Sequence, residues 1–149
     1  MTASISITRL RVRRIRYLPA FFFHFFRSRR ELQRSDGFRG GYTALCRGLV
    51  FWTVTVWSEA KAMQAYRRTG AHLEAMPKLL EWCDEASVAT LEGAGEVPIE
   101  PAEAARHLRL DGRISKVRNP SPAQARGELW PDGILPRRGS PIRPSEGRG

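Results

Sequence analysis

The segment Phe51–Tyr66, FWTVTVWSEAKAMQAY, constrains the fold of this chain more than any other stretch. Phe51, Thr53, Thr55 and Trp57 alternate with Trp52, Val54 and Val56, which is the period of a strand. Neither set carries a charge, so both faces of the strand are expected to be covered. One face is apolar throughout; the other mixes aromatic rings with two hydroxyls. Ser58 then suits an N-cap and Glu59 the positive end of a helix. Ala62, Met63 and Tyr66 share one side of that helix, which is expected to run to about Arg68 and stop at Gly70. A doubly covered strand that feeds an amphipathic helix points to an α+β domain.

The flanking sequence supplies the remaining elements. In ITRLRVR (7–13), Leu10 and Val12 alternate with Arg9, Arg11 and Arg13, which predicts a half-buried strand with one wet face. Pro19 opens a helix over 19–35, with Phe21, Phe25 and Leu32 on one face, Phe22 and Phe26 widening it, and Asp36-Gly37 ending it. Residues 38–47 read as a strand whose Gly40-Gly41 suggests a bulge or a close backbone approach. Gly48 makes a short hairpin to strand 49–57. A second helical piece, starting near Pro77, places Leu79, Leu80, Trp82 and Cys83 inside, and SVATLE (87–92) closes the sheet. The expected order is β-α-β-β-α-β with the second helix broken in two. Composition shifts after Gly93 toward Gly and Pro. The expected domains are therefore 1–92 as the folded unit, 93–118 as an extension with a helix at Pro101–Leu110, and 119–149 as a mostly disordered tail.

Charge is uneven. Of the formal net +10, residues 1–48 carry 11 Arg against only Glu31 and Asp36. Such a bias usually marks a solvated face, and an anionic ligand or membrane surface is the next reading. Aromatics do not interleave with the Arg run as single-strand binders require, so no nucleic acid is expected. Cys46 and Cys83 belong to no CxxC or Cys/His cluster; two thiols in a reducing cytoplasm are expected. The apolar run Tyr17–Phe26 is too short for a membrane span and lacks a small-residue cleavage site.

A family likeness rests on several stretches: the strand Phe51–Trp57 with SEAKAMQAY, Arg16-Tyr17-Leu18-Pro19, Gly37-Phe38-Arg39-Gly40-Gly41, Gly70-Ala71-His72, Ala75-Met76-Pro77, Trp82-Cys83-Asp84-Glu85-Ala86, and GRISKVRNPSP at 112–122. The chain resembles the antibiotic-biosynthesis-monooxygenase-like proteins, and within them an uncharacterised branch related to spheroidene-monooxygenase-like proteins. The resemblance implies a ferredoxin-like βαββαβ unit forming a dimeric α/β barrel. It implies monooxygenase-like oxidation of a small hydrophobic, isoprenoid or polyketide-like compound, or else a non-enzymatic module for a hydrophobic ligand or haem. A homodimer is expected on physical grounds too, because two helices cover one face of a four-stranded sheet and leave the other needing a partner.

The candidate site follows from these elements. Thr53, Thr55, Trp57 and Trp82 would line a substrate pocket, or simply pack. His24, His72 and Tyr66 are the residues to test for catalysis; His24 and His72 are also the possible haem ligands. His24 reads equally as a partly exposed helix residue, and His72 as a cap on the preceding carbonyls. His107 is expected to be solvated, as is the acidic set Glu81, Asp84 and Glu85. The histidine spacing fits no zinc motif, so no metal is expected. No GxGxxG, P-loop or nucleophile elbow occurs, and the cofactor is either none or haem.

Overall fold

The computed structural model describes residues 3–92, 99–137 and 139–145. Its elements are β1 (Ser4–Val12), α1 (Leu18–Arg34), β2 (Phe38–Cys46), β3 (Val50–Trp57), α2 (Ala60–Arg67), α3 (Gly70–Trp82), β4 (Cys83–Glu92), α4 (Pro101–Asp111), β5 (Arg113–Ile114), α5 (Pro122–Ala125) and β6 (Ser140–Ile142), with a single 3-10 turn at Ile15–Tyr17. Strands lie in the order β5-β4-β1-β3-β2-β6, and every pairing is antiparallel. The four inner strands with α1 and the broken α2–α3 form the expected α+β ferredoxin-like unit. Residues beyond 99 add a strand at each edge.

Local chemistry accounts for most of this. Pro19 occupies the first turn of α1, where its missing N–H costs nothing. Gly40 sits at φ +132 where the β2–β3 register slips, and a Cβ on Gly41 would collide with the Val54 carbonyl. The glycine pair is thus both the bulge and the close approach that its position suggested. Two details differ. Ser58 does not cap α2: Glu59 holds the N-cap position without a side-chain bond, and the Ser58 N–H donates to the Gly37 carbonyl at 2.7 Å. Pro77 lies inside α3 rather than at its start. The bond it forgoes is to the carbonyl of Leu73, a residue on an exposed side of the helix.

The sheet is covered on both faces, as the Phe51–Trp57 pattern demands. On the first, α1, α2 and α3 pack over two apolar clusters. Leu32, Phe38, Trp57, Met63 and Ile142 form one. Val12, Phe21, Phe51 and Cys83 form the other, flanked by Phe22, Phe25, Leu79 and Trp82. On the second face Ile5, Ile7, Tyr42, Trp52, Val54 and Val56 are fully buried beneath Ile99 and the α4 residues Ala104, Ala105 and Leu108. This corrects the premise that the second face stands open. The chain folds its own extension over it, and the argument for a partner from an uncovered face no longer applies.

The tail also does more than trail. Gln124 bonds the Ala86 N–H at 3.2 Å, the Ala86 carbonyl at 3.3 Å and the Ser115 carbonyl at 2.8 Å, standing in for a strand where β5 ends. Ser87 Oγ donates to the Leu129 carbonyl at 2.9 Å, Trp130 meets Trp52 edge-on at 6.4 Å, and β6 pairs with β2. Within 119–149, the described residues therefore include ordered, packed structure where disorder was expected.

The wet face expected of β1 is dry at Arg9. Arg9 is 1% exposed and pairs with Glu85, itself 3% exposed, at 2.9 Å, with Asp132 at 3.2 Å. Arg11 grips Asp84 through two bonds at 2.9 and 2.7 Å, and Arg13 meets Glu81 at 2.7 Å. The acidic set is accordingly the counter-charge of β1, not a solvated helix face.

Candidate functional site

Between the sheet and its three helices lies a floor of hydroxyls. Antiparallel register sets Thr43, Thr53 and Thr8 side by side across β2, β3 and β1. It sets Thr55, Ser6 and Thr90 beside them across β3, β1 and β4. Central strands normally present apolar groups to covering helices, yet Thr8 and Thr53 are only half-buried. The helices do not seal the middle of this face. The two apolar clusters stand as walls at either end.

At one end Trp57 Nε1 donates to Thr55 Oγ1 at 3.0 Å, and the Trp57 ring lies 5.5 Å from Tyr66. Tyr66 lies 5.2 Å from His72. The Tyr66 hydroxyl donates to the Ser28 carbonyl at 3.0 Å, and burial raises its pKa further above the ordinary 10.0. Tyr66 is therefore a protonated wall residue with its donor committed to α1. Arg67 reaches under α2 to donate to Ser6 Oγ at 2.7 Å. Its guanidinium is half-buried, and among the described residues no carboxylate pairs with it. Burial lowers its pKa, and the nearby Arg113 adds to the shift. A cation held over a polar floor without a counter-ion is suited to an anion or to a developing negative charge.

His72 completes this group. It belongs to the first turn of α3, whose entry is fixed by Gly70 at φ +60 and by Glu31, which accepts from the Ala71 N–H at 2.7 Å. A Cβ at position 70 would strike that carboxylate. His72 Nδ1 is buried without a hydrogen-bond partner among the described residues. Burial first, and then the Arg67 charge, push its pKa below the ordinary 6.5, against a weaker hydrogen bond to the Arg67 backbone that raises it, the contact to the preceding helix end expected of a cap. His72 is hence neutral at neutral pH and available to take a proton. Because the folded value lies below the unfolded one, the unfolded chain protonates first as pH falls. Stability is thus fully present above the ordinary value and declines as pH falls through it toward the folded value. The urea midpoint is expected to drop between about pH 7 and pH 5.5, and His72→Phe to flatten that drop. A variant with an unchanged profile would show that His72 is not the group responsible.

The other expected residues lie elsewhere. The His24 ring is 5.3 Å from Phe23 and 5.7 Å from Trp82, and its Nδ1 is likewise buried without a partner among the described residues. α1 and α3 run antiparallel, with Glu31 beside Ala71 and His24 beside Trp82. About 15 Å of helix separates residues 72 and 82, so the two histidines belong to different ends of the gap. Trp82 stacks on Tyr17 at 6.5 Å as part of the far wall. Thr53 lies on the floor between the two groups. His107 sits between Glu103 and Asp111 on α4, remote from the gap. Cys83 is core, its thiol pushed up to about 12 chiefly by burial.

Haem does not fit these surroundings. The rings beside His24 and His72 are already at packing distance, and His72 borders a cation and hydroxyls rather than an apolar slot. No group of three or more metal-ligating side chains occurs among the described residues, and no helix there is long and apolar enough to cross a membrane. Two surface clefts, of about 460 Å³ near Trp130 and about 670 Å³ between Arg34 and Lys61, contain neither histidine.

Sequence reasoning reached Thr53, Thr55, Trp57, Tyr66 and His72 but missed Ser6, Thr8, Thr43, Thr90 and Arg67. The alternation SISIT at 4–8 was the available signal, since it extends β1 by three residues and puts hydroxyls on one face.

Comparisons with known proteins agree with this geometry at the level of fold. No family model matches the sequence, and no curated protein is significantly similar to it. Solved structures are similar. Rv0793 from Mycobacterium tuberculosis superposes with a TM-score of 0.57 at 15% identity, over 64% of this chain and 98% of that one. SnoaB, a cofactor-independent oxygenase from Streptomyces nogalater, gives 0.53 at 17%, over 66% and 100%. A candidate antibiotic biosynthesis monooxygenase of Nitrosomonas europaea gives 0.54 at 15%, over 66% and 94%. Each likeness covers about two thirds of this chain and nearly all of the other, so the chain shares the ferredoxin-like α+β fold of these antibiotic-biosynthesis-monooxygenase-like structures.

Proposed function

We propose that the chain is a monooxygenase-like enzyme that oxidises a small hydrophobic compound in the gap between its sheet and helices. The observation that carries this reading is a neutral His72, its buried Nδ1 without a partner among the described residues, beside an Arg67 that bonds Ser6 and meets no carboxylate among those residues. In this mechanism His72 takes a proton from an activated C–H of the substrate, and Arg67 stabilises the resulting anion. The anion gives electrons to dioxygen; one oxygen atom enters the product as a carbonyl and the other leaves as water. Trp57 and Tyr66 shield the substrate beside His72, Trp82 closes the far end of the gap, and the threonine floor orients the substrate's polar groups. The resemblance to SnoaB, a cofactor-independent oxygenase, favours this chemistry over one that needs haem.

The test is oxygen consumption with a panel of polycyclic phenolic and isoprenoid compounds. Activity on at least one is expected, reduced about 10²–10⁴-fold in His72→Ala, the range of a lost general base. Binding of these compounds by tryptophan quenching, with no oxygen uptake in the native protein, favours the second reading, a non-enzymatic module for hydrophobic ligands. We place the protein in a reducing cytoplasm, in keeping with the free thiols of Cys46 and Cys83. A homodimer of the sheet-to-sheet kind would require 99–137 to swing away from the second face; we read that extension as standing where a second copy would.

A further inference from the structure

The outer face of α1 combines exposed aromatic rings with exposed arginines. Pro19, Phe23, Phe26, Arg27 and Arg30 recur at i, i+4, i+7, i+8 and i+11, so they share one side of the helix. Phe23 is 60% and Phe26 56% exposed, and Ile15, just before the helix, is 73% exposed. Leu45, the register partner of Phe51, is exposed near the same end, where the Phe22 ring touches Phe51. Phe22 and Phe26 stack at 6.1 Å, which holds the outer ring in place. Around these apolar groups stand the exposed Arg14, Arg16, Arg27 and Arg30. The acidic groups nearby are few and engaged: Glu74 with Arg27 at 3.1 Å, Glu81 with Arg13 and Arg118, and Glu31 with the Ala71 N–H.

We propose that this aromatic and basic face docks on an anionic lipid surface. Exposed rings that enter the acyl boundary, ringed by arginines at headgroup level, are the composition of an interfacial helix. Charge decides the occupant. A two-fold contact between copies would bring Arg14, Arg16 and Arg30 of both chains into one interface with no free carboxylates among the described residues of this face to offset them, whereas an anionic bilayer neutralises all of them. The docking is independent of whether the gap behind α1 performs chemistry.

The test is sedimentation of the full chain with vesicles of phosphatidylglycerol and phosphatidylcholine, and with phosphatidylcholine alone. Binding is expected to the anionic vesicles and to fall steeply between about 50 and 500 mM salt. Phe23→Ser/Phe26→Ser is expected to weaken it at least about tenfold with the far-UV spectrum unchanged, since both rings are exposed. Arg27→Gln/Arg30→Gln is expected to weaken it while reducing the salt dependence. Equal binding to neutral and anionic vesicles, no binding to either, or affinity unaffected by the phenylalanine pair would overturn the proposal. So would a mass by light scattering that halves in the phenylalanine variant, which would make the face a contact between copies.

Discussion

Arg9→Met is expected to destabilise the protein by about 3–5 kcal/mol, the range for removing one partner of a buried ion pair. Arg9 and Glu85 have side chains only 2% and 4% exposed, so the pair is closed off from solvent. Glu85 has further partners in Ser121 Oγ at 2.8 Å and Arg11 at 3.4 Å, and these keep part of its charge satisfied. The loss should therefore fall toward the lower end of that range. Arg9 also holds Asp132, so the variant loosens the segment that carries Trp130. The double variant Arg9→Met/Glu85→Leu is expected to recover part of the stability, because it removes both fully buried charges while Asp132 and the Ser121 hydroxyl lose a partner. Urea unfolding of the four proteins measures this as a double-mutant cycle. A single variant within about 0.5 kcal/mol of the native protein would show that the pair is hydrated and contributes nothing.

That pair also marks where the sequence stops being legible. Strand and helix positions follow from local patterning, and the alternation around Phe51–Trp57 correctly demanded cover on both faces. What supplies the cover is not a local property. ITRLRVR reads as a wet strand because arginines usually are wet; it is dry because β4 brings Glu85 and Asp84 alongside from more than 70 residues away. Likewise α4 is readable as a helix over Pro101–Leu110, yet nothing in its own residues says which surface Ala104, Ala105 and Leu108 will meet. The Pro- and Gly-rich tail misleads for a related reason. It has few apolar groups, but Gln124 and Ser121 anchor it through specific bonds, and Trp130 through its ring against Trp52, none of which composition records. In the candidate site, the aromatic residues were visible and the hydroxyl floor was visible only in part, because register, not spacing within one strand, assembles it. Arg67 was invisible: a helix-end arginine looks solvated until a β1 serine is found beneath it.

Shortening the chain to residues 1–92 is expected to abolish the folded monomer. The truncation strips Ile99, Ala104, Ala105 and Leu108 from a face where Ile5, Ile7, Tyr42, Trp52, Val54 and Val56 are now fully buried. Each large side chain loses about 1.5–3 kcal/mol of burial when such a face is bared, and the sum exceeds the stability of an ordinary domain. Two fates remain for a sheet in that state. It aggregates, or it pairs with a second copy through the bared face, which is the arrangement that the fold class allows once the extension is gone. Light scattering and far-UV circular dichroism separate these outcomes from each other and from the native chain. In the full-length protein, Leu108→Ala provides a gentler version, with an expected loss of about 2–5 kcal/mol for a leucine truncated in a packed core. A truncated chain that stays monomeric and unfolds cooperatively at the native midpoint would mean that α4 is not the cover of the second face. A folded dimer from residues 1–92 would give the extension a definite physical role: it takes the place of a partner by supplying, within one chain, the apolar layer that a second sheet would otherwise bring.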